Sequence, residues 1–190
     1  WWEHLLKATY QLRQTHADAL KGVAAIGISY QMHGLVLLDI EGKPLRPAII
    51  WCDSRAIDVG NKLEHELGKE FCFSHLLNAP GNFTASKLAW VKENEPETYA
   101  KIATAMLPGD YIAYRLTNER NTTLSGLSEG IMYDFSRQVI SDELVKAIGT
   151  NPFPRIIPSF GEQGRLSNEA SNSTGISEGT PVTYRAGDQP

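Results

Sequence analysis

Trp2, Leu5, Leu6, Tyr10 and Leu12 recur at near-helical spacing over residues 1–20, with polar residues between them, and Gly22 breaks the run. An opening helix is predicted there. The period then shortens. "VAAIGIS" (23–29) is apolar and partly β-branched, as a buried strand would be. "LVLLDI" (35–40) and "PAIIW" (47–51) read as two more strands, joined as a hairpin through the turn "EGKP". Helical patterns return over 55–67, with Asp53 or Ser54 as the cap, and in "ASKLAWVKENE", with Thr84 as the cap. Pro96 and Glu97 open a further helical turn, and "ATAML" (103–107) is a candidate strand. Asp110 stands where a helix cap is expected before "YIAYRLTN".

Residues 118–135 are rich in Asn, Thr, Ser and Gly, and read as loop plus β. Ser141 begins a helix that ends at Gly149, and the prolines of "NPFPRIIPSF" hold that stretch extended. The polar segment 167–180 is the nearest thing to a linker, and "VTYRAGDQ" (182–189) is a last strand. Strands alternate with helices. That predicts an α/β domain, with helices flanking a sheet.

The chain has 190 residues, 42% of them apolar, which suits one sizeable domain. Its charged residues are of both signs and sum to −4. A nucleic-acid partner would want a basic stripe, and none is present. No apolar run reaches the length of a membrane span, and the first 20 residues are amphipathic rather than signal-like. Cys52 and Cys72 are too few for a disulfide framework or a metal knuckle, so a reducing cytoplasmic compartment is expected. Trp1 and Pro190 do not look like natural termini, and a piece of a longer protein is expected.

Three clusters could carry chemistry. Asp188 follows Gly187 at the end of an apolar strand. Ligands of open α/β sheets collect beyond the carboxyl ends of strands, where a carboxylate could take a proton from a substrate hydroxyl. The same residue would equally serve a turn or a helix start. In "QMHG", Gln31 and His33 offer neutral hydrogen bonds and Met32 an adaptable apolar wall, the mix that polyol recognition wants. Strand alternation would put Gln31 and His33 on one side and Met32 on the other, unless the strand ends there. His33 lacks a second ligand at metal-site spacing. In "WCDSRA", Trp51 is either core or a stacking surface, and Asp53 and Arg55 pair with each other or cap a helix. No G-x-x-x-x-G-K-[ST], G-x-G-x-x-G or G-x-S-x-G motif occurs.

Taken in order, "WWEHLL", "QMHGLVLLDIEGKPLRPAIIWCDSR", "GNFTASKLAWVKENEPE", "LPGDYIAYRLTNE", "SEGIMYDF" and "AGDQ" cover nearly all of the chain. They resemble the FGGY carbohydrate kinases, most of all the xylulokinase-like branch. The resemblance implies a ribonuclease H-like (actin-like ATPase) lobe with a mixed sheet. Residues 1–190 would be part of the N-terminal sugar-binding lobe, without its first strands and without the ATP-binding lobe. It implies transfer of the γ-phosphoryl of ATP, with Mg²⁺, to a sugar hydroxyl, D-xylulose first among them. ATP and Mg²⁺ would be held mainly by parts outside this chain. Asp188 matches the catalytic base. Gln31, Met32, His33, Trp51 and Gln189 match sugar-contacting positions, with no metal ligand among them. Lys87 and Trp90 belong to a helical signature read as structural.

This sequence departs from the family pattern in places. Thr123 and Gly126 stand where many members carry aspartate, and Gln189 stands where many xylulokinases have asparagine. Kinases for gluconate, fuculose, erythritol or glycerol are the alternatives, and "QMHG" disfavours glycerol. A non-catalytic sugar-binding module is a further one. A homodimer is compatible with the family. The isolated stretch is expected to be inactive and marginal or self-associating, because a lobe without its central strands exposes unpaired edges.

Overall fold

The computed structural model describes residues 1–189. Helix α1 (Trp2–Lys21) kinks at His16 and buries only Leu20, so its apolar stripe is largely uncovered. It leads into strand β1 (Ile26–Tyr30), then β2 (Val36–Leu38). The expected third strand, 47–51, is reduced to bridges: Leu35 exchanges both backbone bonds with Ile49, and Leu38 bridges Pro44. Pro44 and Pro47 have no N–H to give, so a continuous ladder cannot form. β2 instead finds its ladder on the other side, antiparallel to β3 (Thr104–Met106).

Helix α2 (Ile57–Leu67) is followed by the short α3 (Lys69–Phe71), which runs into a π-helical turn, Cys72–Leu76. α4 (Thr84–Asn94) and α5 (Pro96–Tyr99) follow, and α6 (Pro108–Thr117) comes after β3. Three of the expected caps move. α2 starts at Ile57 without a side-chain cap, because the Asp53 carboxylate is taken up by Arg55. Thr84 lies inside α4 and turns its hydroxyl to the Gly34 carbonyl. Asp110 is the third residue of α6, since Pro108, with no N–H to lose, occupies its first turn.

Residues 118–135 hold more helix than their composition suggests: β4 (Asn121–Thr123), α7 (Leu124–Glu129) and β5 (Tyr133–Asp134). The Thr123 hydroxyl accepts the Gly126 N–H and starts α7. β6 (Val139–Ile140) pairs with β5. Ser141 caps α8 (Asp142–Ile148) as expected, and Gly149 ends it at φ +93°. β7 (Arg155–Ile157) runs parallel to β4. The linker-like stretch contains α9 (Asn168–Thr174), with Ser167 capping it and Gly175 stopping it at φ +82°. β8 (Val182–Gly187) closes the described chain.

The sheet is mixed, as expected, but it falls into two-stranded pieces, because most of its strands span only two or three residues. One core packs β2 and Ile49 against α2, α4 and α8, with Leu88, Val91 and Met132 fully buried. A second packs β1 and β8 against α6 and α9 through Ile28, Leu107, Leu116 and Val182. Within the described residues, no helix is long and apolar enough to cross a membrane.

Candidate active site

β1 and β8 are parallel, and Tyr30 lies opposite Gly187. One residue further, the Asp188 N–H donates to the Tyr30 carbonyl at 2.9 Å. Gln31–His33 and Asp188–Gln189 therefore leave the sheet at the same carboxyl end, although they are far apart in sequence. A cavity of about 480 Å³ opens there, lined by Met32, Glu129, Asp188 and Gln189 together with Ser29 and Ser125. Gly187 makes room for this approach: a Cβ on it would lie 2.3 Å from Met32 Cγ and 2.8 Å from Glu129 Oε2, and those side chains would have to shift.

β1 stops at Tyr30, so strand alternation does not govern the next residues. The chain turns, and His33 takes the left-handed conformation at φ +62°, uncommon for a residue with a Cβ. Several bonds hold it there. The fully buried Lys87 amine donates to the His33 carbonyl at 2.7 Å. The His33 ring meets the Phe83 ring edge-on at 4.2 Å, and its Nδ1 is 3.0 Å from the Glu129 carbonyl. A carbonyl only accepts, so Nδ1 carries the proton and Nε2 of the neutral ring is left as an acceptor. Burial pushes the His33 pKa down, and the Lys87 charge adds to that, against the Glu129 carbonyl bond and the Asp188 charge. Burial also pushes the Lys87 amine down to about 8.

The other polar cluster is tied to the first. Gln31 Oε1 accepts the Trp51 N–H at 3.1 Å, and Asn82 Nδ2 donates to the Asp53 carbonyl at 2.8 Å. Arg55 pairs with Asp53 at 2.7 Å and lies 4.8 Å over the Trp90 ring, and this bonding holds the Asp53 carboxyl below its ordinary range. Of the residues singled out from sequence, Met32, Asp188 and Gln189 share one cavity, with His33 beside it through Glu129. Gln31 instead borders a neighbouring apolar groove of about 430 Å³, and its carboxamide is engaged by the loop. Trp51 is 63% exposed, which removes the core alternative, and it does not line the Asp188 cavity.

Behind this lining, β8 carries a buried polar cluster. Arg185 is fully buried, donates to Asn121 Oδ1 at 2.7 Å, and lies 3.6 Å from Oδ1 of the equally buried Asp110. Burial raises the Asp110 pKa and lowers that of Arg185, and their attraction opposes both changes. Burial, then the nearby Glu129, push the Tyr30 hydroxyl up. Sequence reasoning missed Glu129 as a site residue and Arg185 as the buried partner of Asp110 and Asn121. The available signal for Arg185 was a charged residue inside an otherwise apolar strand.

A profile of the FGGY family of carbohydrate kinases, N-terminal domain, matches residues 1–190. The chain belongs to this family. The FGGY domain is 35% identical to a xylulose kinase of Staphylococcus xylosus over 98% of the chain, and 33% identical to one of Escherichia coli over 99%. It spans 39% and 38% of the length of those two relatives. A solved xylulose kinase from Rhodospirillum rubrum superimposes with a TM-score of 0.89 at 28% identity, over 99% of this chain and 39% of that one. A gluconate kinase from Lactobacillus acidophilus superimposes at 0.81 with 20% identity, which shows the shared fold alone. These neighbours place the FGGY domain in the actin-like, ribonuclease H-like class expected from its motifs.

Proposed function

We propose that this domain holds and activates the sugar in an ATP-dependent carbohydrate kinase that converts D-xylulose to D-xylulose 5-phosphate. One observation carries the reading: the β1–β8 pairing brings Asp188 to the mouth of the Gln31–Met32–His33 turn. The xylulose kinases among its relatives support the choice of sugar.

Asp188 accepts the proton of the attacking hydroxyl, and the oxygen that loses it becomes the nucleophile. Met32 supports the sugar's C–H face, while His33 and Gln189 offer hydrogen bonds that aim the hydroxyl. Among the described residues, no group of three His, Cys, Asp or Glu side chains could hold a metal ion, and no basic side chain lines the cavity. These residues do not fit the phosphate or Mg²⁺ end of the reaction, so only the sugar end is derived from them. The test is ATP-dependent turnover by the full-length protein on D-xylulose, with ribulose, gluconate and glycerol alongside. Xylulose turnover that collapses in Asp188→Asn supports the reading. Turnover unaffected by Asp188→Asn refutes it.

A further inference from the structure

The cavity carries a second carboxyl with no part in the proton transfer above. Glu129 ends α7 and lines the same cavity as Asp188. Its Oε1 is buried and has no hydrogen-bond partner among the described residues. Its Oε2 lies against Gly187, the residue before the proposed base. Burial, with Asp110 and Asp188 adding to it, pushes the Glu129 carboxyl pKa up to about 8, and a hydrogen bond from the Tyr30 hydroxyl opposes the rise. A buried polar atom without a partner is costly, and a ligand group that completes it recovers that cost. The lining contains two carboxyls, serines and Gln189, and neither Lys nor Arg. A ligand carboxylate would find no Lys or Arg counter-ion there and would face the Asp188 carboxyl. A hydroxyl would meet a ready partner.

We propose that Glu129 is a specificity-determining contact of the sugar cavity. It bonds a substrate hydroxyl other than the one that attacks, and so selects neutral polyhydroxy substrates over sugar acids. The proposal rests on the Asp188 cavity being the sugar site.

The experiment measures sugar affinity and turnover in the full-length protein for D-xylulose, its single-deoxy analogues and gluconate. The variants are Glu129→Met, Glu129→Asp, Glu129→Gln and Asp188→Asn. Met removes the bonding group at similar length, Asp withdraws it, and Gln keeps a donor and an acceptor. The expected result is a loss of about tenfold or more in xylulose affinity for Met and Asp, with Gln within a few-fold of wild type. One deoxy analogue should bind wild type weakly, yet bind the Met or Asp variant as well as xylulose does. That equivalence identifies the hydroxyl, and a purely structural role would not produce it. Should one of these two variants fail to fold, the other carries the comparison. Unchanged affinity and unchanged preference over gluconate in folded variants overturn the proposal while leaving the Asp188 reading intact. Wild-type turnover of gluconate in preference to neutral sugars overturns it too. Asp188→Asn with full turnover removes the site reading beneath it.

Discussion

Lys87 offers the sharpest test of how the Gln31–His33 turn is held. Its amine is buried, donates at 2.7 Å to the His33 carbonyl, and fixes a residue at φ +62°. Lys87→Met keeps the length and the apolar stem but removes the donor. The lost bond from a charged donor, with a carbonyl left unpaired, costs about 1.5–3 kcal/mol. Against this, the variant no longer buries an ammonium. The fall from 10.5 to about 8 corresponds to at most about 3.4 kcal/mol, and solvent screening trims it further. The two nearly cancel, so stability should change by less than about 2 kcal/mol in urea unfolding of the full-length protein. The turn, however, loses its anchor, and xylulose KM should rise about tenfold or more.

The pH dependence follows in sign. Between about 8 and 10.5 the unfolded chain holds a proton on Lys87 that the folded chain has released. This group therefore adds stability as pH rises through that window, and the rise should be missing in the Met variant. A folded Lys87→Met protein with wild-type KM and kcat would falsify the idea that Lys87 positions the turn.

Other consequences are as direct. Asp188→Asn should lower kcat by about 10²–10⁴ with xylulose binding largely kept, read by steady-state kinetics and calorimetry. Arg185→Met leaves the buried Asp110 carboxyl without its ion-pair partner, and should destabilise by about 3–5 kcal/mol in chemical denaturation; adding Asp110→Leu should restore much of that. Gly60→Ala would set a Cβ 1.8 Å from the Gly81 carbonyl oxygen, a backbone atom that cannot swing away. It should lower the Tm of the full-length protein, by an amount matching a loss of about 1–3 kcal/mol.

The α/β alternation, the strands at β1, β2, β3 and β8, and the helix between Ser141 and Gly149 were legible because each has its own local signal of period or cap. Asp53, Thr84 and Asp110 looked like N-caps, and none holds that position: the nearby Arg55 claims Asp53, the Gly34 carbonyl takes the Thr84 hydroxyl, and Asp110 lies further into α6, where its Oδ2 accepts the Leu107 N–H. α7 and α9 hid in Ser- and Gly-rich sequence because their caps, Thr123 and Ser167, look no different from loop residues. Within the site, Asp188 and Gln189 could be picked out as strand-end polar residues, and Met32 as the apolar member of the turn after β1. The role of Gln31 could not, since its partner, the Trp51 N–H, is a backbone group with no sequence signature. Glu129 was invisible for a related reason. In a Ser- and Gly-rich stretch read as loop plus β a glutamate normally faces water, and the packing of α7 against β8 half-buries this one.

The parallel pairing of Tyr30 with Gly187 also sets a timetable for biosynthesis. The turn that would grip the sugar leaves the ribosome early, and its carboxylate partner follows roughly 150 residues later, on the order of ten seconds at ordinary synthesis rates. Through that interval β1 has no β8 to pair with, and its edge is open to any passing strand. Closing so long a loop is also the slowest kind of contact to form. Nascent chains stalled short of Val182 should therefore depend on chaperones more than chains released just after Gln189.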